Sequence, residues 1–124
     1  MAKAPDPFHE FVAELFHGLG PVTIKRMFGG AGVWQDGVMF ALLADDTIFL
    51  KADPALRAAL TEEGSYPFVW ERPSDSKQID LGYVSLPSSA LDDADEAVTW
   101  GRKALGVARE AKLKAPPPRK RKKV

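Results

Sequence analysis

The chain has 124 residues, of which 45% are hydrophobic and 10% aromatic, a composition typical of one globular domain with a core of its own. It contains no cysteine, which excludes disulfides and thiolate chemistry and agrees with a reducing compartment. The N-terminal sequence lacks the apolar segment of a secretory signal, and the longest apolar run, residues 38–44, is too short to span a bilayer. We therefore expect a cytoplasmic protein without a membrane segment.

The net charge is zero, but the charges are unevenly distributed. Seven of the 17 basic residues lie from Lys112 onward, where the chain has no acidic residue. The preceding part therefore carries ten basic residues against all 17 acidic ones, a net charge of −7. This distribution predicts an acidic domain followed by a basic tail.

The first predicted element is a helix. Asp6 is a suitable N-cap and Pro7 a suitable first helical residue, because the N–H group that proline lacks is unpaired at this position anyway. Gly18, Gly20 and Pro21 predict the end of the helix. Its apolar residues recur at helical spacing: Phe8, Phe11, Val12, Leu15, Phe16 and Leu19.

Three strands are predicted next, over residues 25–34, 38–44 and 47–52. Asp36 followed by Gly37 is typical of a two-residue type I′ hairpin turn, and two aspartates at positions 45 and 46 give a second turn signal. The middle strand is apolar on both faces of its pleat. This pattern predicts a central position in the sheet, with cover on both sides.

The second half of the chain predicts a short helix, a hairpin and a long helix. Asp53 followed by Pro54 repeats the cap-plus-proline signal and opens a helix that ends near residue 60. Strands over residues 67–72 and 78–86 form the second hairpin, and a helix from about residue 94 to residue 112 follows. The predicted order is α-β-β-β-α-β-β-α.

This order predicts an α+β fold, a two-layer α/β sandwich in which three helices cover a five-stranded antiparallel sheet. Three helices, one of them short, leave part of the second sheet face uncovered, and an exposed apolar patch above roughly a few hundred Å² usually marks an interface. We therefore expect a homodimer. The alternative is that the helices divide between the two faces and the monomer is self-sufficient.

The glycine cluster Gly29, Gly30 and Gly32 is the one glycine-rich segment that could cradle a phosphate. It lacks the Gly-Lys-Ser/Thr ending of a P-loop, and a strand rather than a helix is predicted after it. We interpret it as a bend that lets one long strand curl or lets another chain approach closely. The alternative is a small-ligand (anion) binding or catalytic site beside the bend, with Arg26 and Lys51 facing the ligand. We favour the interpretation that both are exposed charges at a strand edge or end.

The sequence shows no set of residues with a catalytic spacing. It lacks a thiol, a His-Glu-x-x-His motif and a Gly-x-Ser-x-Gly motif, and its two histidines, His9 and His17, lie on one predicted helix. Helix capping explains the acidic cluster at residues 92–96 without a metal. The sequence therefore predicts a protein that is not an enzyme and that has no cofactor and no metal.

Four segments of the chain carry a resemblance to a known family. They are Arg26-Met-Phe-Gly-Gly-Ala-Gly-Val-Trp, Asp36-Gly-Val-Met-Phe-Ala-Leu, Leu50-Lys-Ala-Asp, and Leu86-Pro before an acidic, Trp-containing C-terminal helix. They resemble the TfoX N-terminal domain family, which includes the Sxy/TfoX regulators of natural competence in bacteria, over roughly residues 8–111. The resemblance implies a secretion-chaperone-like two-layer α/β fold. It also implies a regulatory role without known catalysis, through a protein partner in transcription activated by the cyclic-AMP receptor protein.

We expect residues 1–112 to form the domain and residues 113–124 to form a disordered, proline-rich basic tail. The tail has no aromatic residue to stack on bases and no helical periodicity, so it cannot recognise a nucleotide sequence. An alternative is a solubilising tail that folds back on the acidic domain. The cations of the tail can neutralise phosphates. We therefore predict weak, nonspecific binding to DNA or RNA through Arg119, Lys120, Arg121, Lys122 and Lys123.

Overall fold

A six-stranded antiparallel sheet is the frame of the computed structural model, which describes residues 6–27 and 30–114. The order across the sheet is β1-β2-β3-β4-β6-β5, so the apolar strand β3 has a neighbour on each side, as its sequence predicts. The strands are β1 (Thr23–Met27), β2 (Gly30–Gln35), β3 (Val38–Ala44), β4 (Thr47–Lys51), β5 (Pro67–Glu71) and β6 (Gln78–Ser85).

The first strand of the predicted meander is in fact two strands, so the prediction of five strands is wrong. β1 and β2 pair with each other in antiparallel register, with Arg26 opposite Ala31 and Met27 opposite Gly30. The chain therefore reverses between Met27 and Gly30, where we had placed a bend within one strand. Residues on both sides of the glycines suit a strand, and that pattern is the same for one long strand as for a hairpin. The element order becomes α-β-β-β-β-α-β-β-α.

Both predicted hairpin turns are confirmed. Asp36 and Gly37 have φ angles of 55° and 79°, and Asp45 and Asp46 have φ angles of 50° and 55°. Two left-handed residues in succession are what a type I′ turn requires, and this turn matches the twist of the strands that it joins. The two turns place β2, β3 and β4 side by side.

Three α-helices and two short 3₁₀ turns accompany the sheet within the described residues, and the two predicted N-caps are present. The Asp6 carboxylate accepts a hydrogen bond from the Phe8 N–H at 2.9 Å, and the Asp53 carboxylate accepts one from the Leu56 N–H at 2.8 Å. The first helix ends at Leu15, earlier than predicted, and the first 3₁₀ turn follows it. The elements are α1 (Pro7–Leu15), α2 (Pro54–Glu62), α3 (Ala94–Lys114) and the 3₁₀ turns His17–Leu19 and Ser88–Asp92.

The helices cover one face of the sheet, which gives the two layers. Buried side chains from all three helices share one core, among them Val12 of α1, Leu60 of α2 and Leu105 of α3. The strand residues of this core belong to one face of the pleat, apart from Phe40, which joins them where the register of β3 is irregular: Ala31, Val33, Ala41, Leu43, Ile48, Leu50 and Val84. We call the other face of the sheet the open face, because the core that the helices share does not include its residues.

Candidate interaction groove

The open face has an apolar centre. Alternation along the strands and the strand register put Lys25, Gly32, Leu42 and Phe49 in one row across β1 to β4. Leu42 is only 9% exposed and Phe49 only 5%, although no helix core lies over them. Another part of the chain must therefore cover this face.

Strand β5 supplies that cover. The Phe49 ring lies 5.8 Å from the Tyr66 ring and 5.1 Å from the Phe68 ring, measured between centroids. The register between β5 and β6 is irregular between Pro67 and Val69, and Gly82 of β6 has a φ angle of 85°. These are the signs of a bulge, which bends the outer hairpin toward the open face.

The curled hairpin and the first three strands enclose a groove of about 470 Å³. The volume lies within the range of small-molecule and cofactor pockets, about 300–1,000 Å³. Its walls are largely apolar, and two aromatic side chains of β5 face residues of β1 and β3 across it. The side chains that define it are Met27, Leu42, Phe68, Trp70 and Leu81.

The charged side chains of the groove are acidic. Asp45 of the β3–β4 turn and Glu71 at the end of β5 line it, and no lysine or arginine does so among the described residues. Arg72 follows Glu71, but its guanidinium is held by the Asp75 carboxylate, with Nη2 to Oδ2 at 2.7 Å and Nε to Oδ1 at 3.0 Å. This pair holds the pKa of Asp75 below its ordinary value. The groove therefore has an acidic rim.

Two lysines of the open face lie over aromatic rings instead. Lys25 Nζ is 5.3 Å from the centre of the Trp34 ring, and Lys51 Nζ is 5.3 Å from the centre of the Tyr83 ring. Burial raises the pKa of the Tyr83 phenol above its ordinary value, so the ring stays neutral beneath the lysine at physiological pH. Each of these two lysines thus already lies against an aromatic ring.

Comparison with known families identifies the family to which this chain belongs. The profile of the TfoX N-terminal domain matches residues 14–108, well over half of the sequence. The chain belongs to the TfoX N-terminal domain family. A search of the curated proteins finds no match for this chain.

The match confirms the family resemblance found in the sequence. It begins near the end of α1, ends within α3, and contains every residue of the groove. The groove is thus part of the TfoX N-terminal domain and not of an appended segment. The predicted domain boundary at residue 112 stays a prediction.

Arg26, which we had named for anion binding, lies among carboxylates in this TfoX-family domain. Its guanidinium is 3.7 Å from Asp6 Oδ2, and the Arg26 side chain is 56% exposed. Arg26 and Gly30 do line one hollow, of about 120 Å³, but Asp6, Asp45 and Asp46 line it too. Three carboxylates around one arginine disfavour an anion.

The other predicted site residues lie elsewhere. Gly32 lies under two thioethers, since a side chain there would come within 2.9 Å of Met39 Sδ and 3.0 Å of Met27 Sδ. Lys51 points to the open face over Tyr83, whereas Arg26 shares the helix-covered face of the sheet with Ala31, so the structure does not bring the two cations together. Gly29 and the tail residues Arg119, Lys120, Arg121, Lys122 and Lys123 lie outside the described residues.

A second hollow, of about 230 Å³, lies between β4, the end of α2 and the start of the second 3₁₀ turn. Ser65 and Ser85 both line this hollow. Ser65 Oγ is buried without a hydrogen-bond partner among the described residues, whereas Ser85 Oγ accepts a hydrogen bond from the Tyr66 N–H at 3.0 Å. This hollow has half the volume of the groove and no comparable aromatic wall, so the groove is the stronger candidate.

Two further properties concern the described residues only. Within residues 6–27 and 30–114, no three His, Asp or Glu side chains are grouped so as to hold a metal ion. Over the same part of the chain, no helix combines the length and the apolar character that crossing a membrane requires.

Sequence reasoning missed the groove because its aromatic wall comes from the second hairpin. The alternation of Phe68 and Trp70 identifies β5 as a strand but does not show that it curls back over β3. Gly82, a glycine inside a predicted strand, is the one signal of the bulge that bends this hairpin.

Proposed function

We propose that this chain is a non-enzymatic regulatory module of the cytoplasm that acts by binding a protein partner in the groove of its open face. The observation that carries the proposal is the groove itself, an apolar hollow of about 470 Å³ with Phe68 and Trp70 in its wall and an acidic rim. Aromatic anchors in a partly open hollow are typical of binding surfaces.

Membership in the TfoX N-terminal domain family supports a regulatory role related to competence. The resemblance to the competence regulators favours a partner within the transcription machinery. The anion-binding alternative has less support, because Arg26 shares its hollow with three carboxylates and lies on the other sheet face from Lys51.

Two exposed leucines allow a matched test of the groove. Leu81 lines the groove and is 42% exposed, whereas Leu91 lies on the second 3₁₀ turn, away from the groove, and is 39% exposed. A photo-crosslinking amino acid is placed at either position, and the crosslinked proteins of the native cell are identified by mass spectrometry. In parallel, transcript levels are compared in cells that carry the wild type, Leu81→Glu or Leu91→Glu.

We expect position 81 to capture a protein that position 91 does not capture, and Leu81→Glu alone to change the transcripts that depend on the chain. A purified candidate must then bind the wild type and not Leu81→Glu. If both positions give the same crosslinks and both variants support wild-type transcript levels, the proposed function is wrong.

A further inference from the structure

We propose that the groove binds the proline-rich basic segment, residues 115–124, of a second copy of this chain. The inference rests on the proposed function, since it names an occupant for the same groove. Three properties carry it: the chemistry of the groove wall, the charge of the rim, and the position at which α3 ends.

The wall of the groove suits a proline-rich segment. Extended proline-rich segments bind in grooves lined by aromatic rings, because their polyproline II conformation is formed in advance and little entropy is lost on binding. The sequence offers three consecutive prolines, Pro116, Pro117 and Pro118. Phe68 and Trp70 supply the aromatic surface against which proline rings pack.

The rim of the groove complements the charges of the same segment. Five cations, at positions 119–123, follow the prolines directly. Asp45 and Glu71 line the groove, and Arg72 is neutralised by its pair with Asp75. A segment whose prolines lie in the groove therefore places its cations near these two carboxylates. The electrostatic attraction between them is strongest at low ionic strength.

The position of α3 requires that the segment come from another copy. Lys112 Nζ lies 3.4 Å from the Gly37 carbonyl oxygen, so α3 ends beside the β2–β3 turn, on the helix-covered side of the sheet. The groove lies at the other end of β3, near Asp45, and the seven residues of β3 span about 23 Å. Residues 115–118 extend at most about 14 Å from the end of α3. The prolines of a chain therefore cannot reach its own groove around the sheet.

Two outcomes of this contact differ in geometry. A reciprocal exchange of segments closes a two-fold dimer, whereas a one-way contact leaves a free groove and a free segment and continues into longer assemblies. The homodimer that the sequence predicted would thus be held by exchanged segments rather than by two flat sheet faces.

The test uses a fluorescent peptide of residues 112–124 and the full-length chain, with binding followed by anisotropy at roughly 150 mM salt. A control peptide has alanine at positions 116, 117 and 118 and the same charge. The protein variants are Trp70→Ala, Leu81→Gln and Glu71→Gln in the groove, with Leu91→Ala and Glu62→Gln as controls outside it. Thermal melting identifies any variant that does not fold.

We expect the native peptide to bind saturably and the alanine peptide to bind at least fivefold more weakly. Trp70→Ala and Leu81→Gln should each weaken binding at least tenfold, Glu71→Gln about threefold, and the two control variants less than twofold. Equal binding of the two peptides, or equal effects of groove and control variants, would show attraction by charge alone and overturn the inference.

The remaining outcomes also decide. If the peptide does not bind while the full-length chain is retained on duplex DNA, the partner of the tail is nucleic acid, and the tail is not the occupant of the groove. A failed peptide experiment together with groove-dependent crosslinking from position 81 leaves the proposed function standing with another partner. Sedimentation gives a second measurement. We expect the full-length protein to sediment at micromolar concentration with a mass above the 13.6 kDa of one chain, and the Trp70→Ala variant to sediment with a smaller mass than the wild type.

Discussion

Phe16, just after α1, and Phe40 of β3 meet edge to face, with ring centroids 5.5 Å apart and ring planes at 86°. Both side chains are fully buried. The register between β2 and β3 shifts at this point, so that Phe40 is the extra residue of a bulge and its ring joins the core under the helices. This aromatic pair connects the helical layer to the central strand of the sheet.

Replacing Phe40 by alanine tests the weight of this contact. The substitution removes a fully buried ring and leaves a cavity beside Phe16, so we expect Phe40→Ala to lower the free energy of unfolding by about 3–5 kcal/mol. Phe11, which is 41% exposed, is the control, and Phe11→Ala should cost less than about 1 kcal/mol. Urea denaturation measures both values. Equal costs for the two variants would contradict a central role for the pair.

Gly30 gives a prediction about the reversal between β1 and β2. A side chain at Gly30 would collide with the Leu43 carbonyl oxygen of β3, which is backbone and cannot move aside cheaply. We expect Gly30→Ala to lower the free energy of unfolding by about 1–3 kcal/mol.

Gly106 is the matched control for this substitution. It lies inside α3, and an added methyl group would have no neighbour within 4 Å. Gly106→Ala should therefore raise the free energy of unfolding by roughly 0.5–1 kcal/mol, because alanine favours the helix. If the two substitutions change stability in the same direction, the close approach of Gly30 to β3 is not what limits the residue at this position.

The sequence predicted those parts of the fold that depend on local chemistry. Asp6 and Asp53 cap their helices, and the aspartates at positions 36 and 45 open the two tight turns, because each preference acts over two to four residues. The strand count was wrong because pairing across the reversal at Met27 and Gly30 is a long-range choice that the apolar pattern leaves open.

Predicting the groove from the sequence would have required contacts between residues that lie still further apart along the chain. Phe68 and Trp70 follow Leu42 in the sequence by more than 25 residues, and they line one groove with it beside the irregular register of the outer hairpin. Arg26 and Lys51 are the cations that the sequence offered as candidates for anion binding. In the structure each has a nearby partner, Asp6 for Arg26 and the Tyr83 ring for Lys51.

The pair between Arg57 of α2 and Asp80 of β6 predicts a pH-dependent contribution to stability. Arg57 Nη2 lies 2.9 Å from Asp80 Oδ1 and 3.0 Å from Oδ2, and the Gly82 N–H donates to the same carboxylate at 2.9 Å. The hydrogen bond from Arg57, and then that from Gly82, hold the pKa of Asp80 below its ordinary value. The folded state therefore binds the proton of Asp80 less readily than the unfolded chain does.

The pair therefore stabilises the folded state above the pKa of Asp80 in the unfolded chain, which is about 3.9. This stabilisation is lost as the pH falls through the lower pKa that Asp80 has in the folded state. The pair is largely exposed, so we expect Asp80→Asn to cost less than about 1 kcal/mol at pH 7. Urea denaturation at pH 7, 4 and 2.5 measures the difference between wild type and variant, with Asp92→Asn as an exposed control. A difference that grows toward low pH would contradict the assigned direction.

The last prediction concerns the basic tail and nucleic acid. Its cations can neutralise phosphates and release counterions, and each phosphate contacted contributes a slope of about −0.9 to the dependence of log K on log salt. The preceding part of the chain, with its net charge of −7, repels the same polyanion. We therefore expect weak, nonspecific binding to duplex DNA that disappears as the salt concentration rises.

Ending the chain at Ala115 removes Arg119, Lys120, Arg121, Lys122 and Lys123, five of the seven cations from Lys112 onward. The truncation should abolish retention on duplex DNA at about 50 mM salt, because it removes the cations that neutralise phosphates. Trp70→Ala is the matched control, since it alters the groove and keeps every cation, and it should not reduce retention. If the full-length chain already fails to bind DNA at this salt concentration, or if the truncated chain binds equally well, the tail has no role in binding nucleic acid.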